Sequence, residues 1–242
     1  MCIDLDDVCD EFEAAWASGQ EPQLDGYLGK VPSARQRSLA IELVEIDILR
    51  RWGHEDHSRR RSLAHYQNEL ASCLLEERDL QRLVECEYQA RLEAGDNPKS
   101  ANFEQYGIST SVIKTAIRNV RESVSWPVLR IVSNGETLIE IPLDLPVEVG
   151  RQRAQDPPPY TVVECNSHRR VVITRSSDAS LSRNQLRVET HGLTKVALQN
   201  TSRNRAVGLR GGEPLAAGDE LVRALPVIIP LADQSIILTA KP

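Results

Sequence analysis

Ser180-Leu181-Ser182-Arg183-Asn184-Gln185-Leu186-Arg187-Val188 passes from a polar loop into a strand of alternating character. The loop, Ser176-Ser177-Asp178-Ala179-Ser180, ends at Ser182-Arg183. From there Leu186 and Val188 fall on one face of the strand, and Arg187 and Glu189 on the other. A hydroxyl beside a guanidinium at a loop tip suits an oxyanion, because both donate and neither needs burial. Gly150-Arg151 lies upstream and Ser202-Arg203-Asn204 downstream. Both add donors of the same kind.

Working outward, the chain downstream of Trp126-Pro127 carries strand signals throughout. Val128–Val132 alternates, Asn134-Gly135 is the dipeptide of a tight hairpin turn, and Leu138–Leu143 returns. Short segments follow at 147–150, 170–174, 185–190, 195–199, 206–209 and 221–224, then 227–230 and 235–240. Close spacing with no intervening helical period predicts an antiparallel β-sandwich over 126–242.

Upstream the period changes. Val8, Cys9, Phe12, Ala15 and Trp16 recur at three- and four-residue steps, predicting a helix over 6–18 stopped at Gly19. Ser33 with Gln36 reads as a capping box opening a long helix that ends at Gly53. A short helix is expected near 63–70, a strong one over 76–94 ending at Gly95, and a last one from about 111 to 123. Glu11-Phe12-x-Ala14, Gly19 and Pro22 recur 76 residues later as Glu87-Tyr88-x-Ala90, Gly95 and Pro98, with Tyr27 roughly matching Phe103. Trp52-Gly53 with Tyr66 offers a weaker third copy. Units of this kind bury their faces by stacking on one another. The fold class expected is therefore multidomain α + β: a helical repeat-like interaction module over 1–125, then the sandwich.

Charge divides along the same line. The first 125 residues carry 23 acidic and 15 basic side chains, net −8, whereas 126–242 carry 12 and 14, net +2. In the second half 12 arginines stand against 2 lysines, which favours fork-like recognition of an anion. Arg151, Arg153, Arg169, Arg170, Arg175, Arg183, Arg203 and Arg205 gather around the loop motif in sequence. The field is too small for non-specific nucleic-acid binding. No apolar run approaches the ~18 residues of a membrane span, and the acidic start lacks the order of a signal peptide. A cytoplasmic protein is expected.

Cys2, Cys9, Cys73, Cys86 and Cys165 are odd in number and scattered, so reduced thiols are expected rather than a disulfide framework. His54 and His57 with Cys73 and Cys86 have no compact metal spacing, and no metal or cofactor is expected. Trp16, Trp52 and Tyr88 read as core. Pro157-Pro158-Pro159 reads as a rigid, projecting loop, and Arg169 and Arg170 as a solvated face.

Gly150-Arg151, Ser182-Arg183-x-Gln185 and Ser202-x-Asn204, with Leu215 and Gly218-Asp219 before the last strands, resemble the signature of forkhead-associated (FHA) domains. The likeness covers about 128–240. It implies a β-sandwich that binds a phosphothreonine peptide with the loops at one end. Arg151 would contact the phosphate or peptide, Ser182 would donate to a phosphate oxygen, and Arg183 would add a second phosphate contact. Asn204 would pair with the peptide backbone, flanked by Ser202 and Arg203. Gln185 replaces the family's loop-bracing histidine, with a hydrogen-bond donor retained. Arg205 replaces a glycine, so either arginine is strained there or the turn differs.

Phe12-Glu13-Ala14-Ala15-Trp16, Gly19-Gln20, Pro22 and Tyr27-Leu28-Gly29 with Val31-Pro32 resemble helical segments that precede kinase domains in planctomycete-type bacterial serine/threonine kinases. No kinase motif follows. The two resemblances together imply a non-enzymatic phosphothreonine-binding adaptor in bacterial kinase signalling. Its partners would be a threonine-phosphorylated protein or Ser/Thr kinase and, through the helical half, a second protein. The alternative is a structural or assembly protein whose degenerate sandwich binds without phosphate.

Overall fold

The structure is a computed structural model that describes residues 4–73, 75–231 and 233–241. The chain divides between Ser123 and Val124 into two compact units, one helical and one a β-sandwich.

The helical unit comprises α1 (Leu5–Ala17), α2 (Leu24–Leu28), α3 (Ser33–Trp52), α4 (Leu63–Leu70), α5 (Glu77–Glu93), α6 (Ala101–Glu104) and α7 (Thr110–Ser123). The repeat is real in three dimensions. Gly19 at φ +82° and Gly95 at φ +80° end α1 and α5 in the left-handed region that glycine adopts without cost. Behind them Gln20 N–H donates to Ala15 O (3.1 Å) and Asp96 N–H to Arg91 O (2.8 Å), the same closure 76 residues apart. Phe12 packs edge-on against Tyr27 with centroids 5.0 Å apart, and Tyr88 meets Phe103 at 6.2 Å. Each copy is thus a helix, a glycine stop, a short helix carrying an aromatic, and a second helix. α1 packs on α3, α3 on α5 and α5 on α7, so the copies share one continuous core.

Two expectations differ here. Gly53 has φ −73°, and Tyr66 donates its hydroxyl to the buried Asp47 carboxylate (2.5 Å), so the stretch around Trp52 is not a third copy. Ser33 is the first residue of α3 and Pro32 its cap. Gln36 does not close a capping box; its amide donates to Leu28 O (3.2 Å) and Val31 O (3.4 Å), stapling the preceding turn. Trp16, Trp52 and Tyr88 are buried as expected.

In the second unit β1 (Val128–Ser133), β2 (Glu136–Pro142), β9 (Val227–Leu231) and β10 (Gln234–Thr239) form a sheet of order β2-β1-β10-β9. Asn134 (φ +50°) and Gly135 (φ +84°) make the tight turn their sequence predicts. The second sheet has the order β4-β5-β3-β6-β7-β8. Its strands are β3 (Val147–Arg151), β4 (Thr161–Glu164), β5 (Arg169–Thr174), β6 (Leu186–His191), β7 (Lys195–Asn200) and β8 (Glu220–Ala224). Alternate residues of both sheets, among them Leu129, Ile131, Ile236, Val149, Val171, Leu186 and Leu198, form one core cluster. That shared core makes the unit a sandwich.

The sandwich is not wholly antiparallel: β3 and β5 run parallel. The segment between them, residues 152–168, exceeds the roughly dozen residues such a crossover needs. It does not simply project. Part of it returns as the edge strand β4, antiparallel to β5. The expected strand at 206–209 reduces to a single bridge between Val207 and Leu215.

Candidate anion-binding groove

The loop after β5 meets the start of β6 under tight backbone control. Arg151 N–H donates to Ser182 O (3.0 Å), and Gln185 N–H donates to Val149 O (2.9 Å). Gln185, a residue only 2% exposed, accepts at Oε1 from Ser182 N–H (3.0 Å). Gln185 therefore braces the loop by accepting, where the sequence suggested donation. Gly150 is required for the approach: a Cβ there would lie 2.1 Å from Arg183 O.

Arg170 is the fixed centre. At 2% exposed it donates Nη2 to Arg151 O (2.8 Å) and Arg183 O (2.9 Å), and Nε to Asp156 Oδ2 (2.9 Å). One guanidinium thus joins the end of β3, the Ser182 loop and the segment after β3. The solvated-face expectation is overturned for both neighbours, since Arg169 is itself largely covered and paired with Asp144 and with Glu164 (2.7 Å). Burial opposes the charge of Asp156, but the Arg153 N–H (2.9 Å) and Arg170 outweigh it and hold the carboxyl below its usual range.

The second loop hangs on Asn200, which is fully buried at the end of β7. Its amide donates to Arg205 O (2.7 Å) and Leu215 O (2.8 Å), and its Oδ1 accepts from Ser202 N–H and Oγ–H. Ser202 Oγ, on a residue 6% exposed, also lies 2.6 Å from Arg205 O, which competes for its single proton, and accepts from Arg205 N–H (3.3 Å). Ser202 is spent inside the turn and offers nothing to a ligand. Arg205 has no positive φ, so the turn differs and arginine is unstrained.

What this scaffold presents is an open groove of about 1010 Å³ lined by Arg151, Arg153, Ser182, Arg183, Arg203 and Asn204, among others. Five of the six expected site residues come together there; Ser202 stands behind. Arg151 is partly committed, its Nη1 donating to Ser176 O (2.9 Å) and Asp178 O (3.1 Å), so it shapes the loop as well as lining the groove. Ser182 Oγ and the side chains of Arg183, Arg203 and Asn204 have no hydrogen bond or ion pair among the described residues. Four guanidinia face the groove against one carboxylate, Asp156, which Arg170 already matches. Arg170 and Asn200 escaped the sequence reading as site-forming residues. The run Val171-Val172-Ile173 was the available signal, since an arginine near the start of a strand covered on both faces must find partners.

No protein-family model matches the chain, and no curated protein matches it in sequence. Among solved structures, the chain is similar to the MEK1 FHA domain, with 15% identity and a TM-score of 0.37 over 51% of this chain and 97% of that one. It is also similar to the FHA domain of the CT664 protein from Chlamydia trachomatis, at 14% identity and TM-score 0.34, covering 48% and 98%.

Proposed function

We propose that the β-sandwich unit binds phosphothreonine segments and that the whole chain is a non-enzymatic adaptor in bacterial serine/threonine kinase signalling. The observation that carries this reading is a contrast within the groove. Arg151, Gln152, Arg153, Asp156 and Asn184 are held by internal bonds, whereas Ser182 Oγ and the Arg183, Arg203 and Asn204 side chains, with those of Gln155, Ser176 and Thr201, are left unspent among the described residues. A phosphothreonine brings close to two negative charges and three acceptor oxygens, which is the complement of a hydroxyl, two guanidinia and an amide. Hydrogen bonds to charged groups contribute about 1.5–3 kcal/mol each, and a few of them suit a reversible contact. The stacked helices of the first unit hold a second protein partner in this reading. Among the described residues no helix is long and apolar enough to cross a membrane.

Titrating the full chain with a phosphothreonine peptide library, with threonine and phosphoserine versions as controls, tests the proposal. Phosphate-dependent binding that falls at least tenfold in Ser182→Ala supports it. Binding indifferent to phosphate would point to an assembly protein instead.

A further inference from the structure

The groove has a wall that the three motif loops do not supply, built from the segment that follows β3. We propose that this wall makes the site select a phosphothreonine accompanied by a second anionic side chain, with Arg153 as the contact; the proposal rests on the phosphothreonine reading above. The wall is braced. Asp156 is gripped by the buried Arg170 (2.9 Å) and by Arg153 N–H (2.9 Å), and the Gln152 amide donates to Asp156 O (3.2 Å) and Pro157 O (3.1 Å). Tyr160 closes it, its N–H on Val172 O (2.6 Å) and its hydroxyl accepting from the Gln234 amide (2.8 Å).

On this support the Arg153 guanidinium is aimed across the groove at Asn184 Oδ1 on the Ser182 loop. Its nearest carboxylate, Glu148, lies 3.5 Å away and is shared with Arg187 (3.8 Å) and His168 (3.7 Å). Arg153 is therefore paired with Glu148 only beyond hydrogen-bond distance, and its guanidinium keeps donors for an incoming anion. With Arg151, Arg183 and Arg203 on the same groove, the lining carries more positive charge than one phosphate, of about −1.5 to −2, matches. Arg153 lines the same groove as that excess, held in place by Asn184. The second anion can be an Asp or Glu carboxylate or another phosphate, since a guanidinium fork accepts either.

The test uses the full chain and peptides of equal length around one phosphothreonine. One set has neutral flanks, with its unphosphorylated threonine version as control, one carries a single glutamate scanned through the flanks, and one a single phosphoserine scanned likewise. Each is titrated against wild type and Arg153→Gln. At the favoured position, an anionic flank is expected to tighten binding about five- to tenfold. Arg153→Gln should abolish this advantage, so that anionic-flank and neutral-flank peptides bind the variant equally, whatever their common affinity. The tighter arm, glutamate or phosphoserine, identifies the source of the anion. Equal affinity for all flanks, or an advantage that survives in Arg153→Gln, overturns the proposal while the phosphothreonine reading stands. Indifference to the phosphothreonine itself in the neutral-flank set removes the underlying reading, and this proposal with it.

Discussion

Replacing Arg170 with methionine removes a guanidinium that joins three segments of the sandwich. Two backbone carbonyls, Arg151 O and Arg183 O, lose their donor, and the Asp156 carboxylate loses its ion-pair partner. Arg170 itself is 2% exposed and its partners are only partly covered, so water replaces the lost guanidinium in part. A buried acceptor left without a donor costs about 1–3 kcal/mol, and breaking a buried ion pair from one side costs about 3–5 kcal/mol. The contributions share one side chain and do not add, so the expected loss is about 3–5 kcal/mol. Urea unfolding followed by hydrogen exchange in β3, β5 and β6 measures it, with exposed Arg210→Met as the reference expected within about 0.5 kcal/mol of wild type. Arg170→Lys should recover little, because an ammonium cannot span two carbonyls and a carboxylate as a planar fork does. An Arg170→Met loss no larger than that of Arg210→Met would refute the view that one buried side chain holds the groove together.

Three further outcomes follow from the geometry. Gly150→Ala forces the Cβ to within 2.1 Å of Arg183 O unless backbone moves, so about 1–3 kcal/mol of stability and most phosphate-dependent binding should be lost together in melting and titration experiments. Gly19→Ala and Gly95→Ala, at φ +82° and +80°, should each destabilise the helical unit by about 1–2 kcal/mol and by matching amounts; a cost at one site alone would deny their equivalence. Asp156 has a depressed folded-state pKa, so its contribution is present above the ordinary aspartate value and lost as pH falls through the folded one. The stability advantage of wild type over Asp156→Asn should thus hold between about pH 7 and 5 and fade below about 3.8, whereas an advantage that grows on acidification would reverse the argument.

Much of the fold was legible because it is written in local signals. The period-2 stretches, Asn134-Gly135 and the paired glycines at 19 and 95 each specify backbone without reference to distant residues. The groove was legible in part for the same reason: Ser182, Arg183, Arg203 and Asn204 lie on loops between readable strands. What holds those loops was not. Arg170 reaches carbonyls 19 and 13 residues away in sequence, and no local pattern marks a long-range bond of that kind. Ser202 has the residue type of a ligand contact, and its inward turn is set by the buried Asn200. The strand β4 hid behind Pro157-Pro158-Pro159, because an edge strand needs only one neighbour and shows weak alternation.

The most direct measurement is backbone-amide NMR of the full chain as phosphothreonine peptide is added, with the unphosphorylated peptide in parallel. Phosphate-dependent shifts are expected at Ser182, Arg183, Arg203 and Asn204, around the open groove. Shifts of equal size with both peptides, or shifts confined to the helical unit, would contradict the proposal.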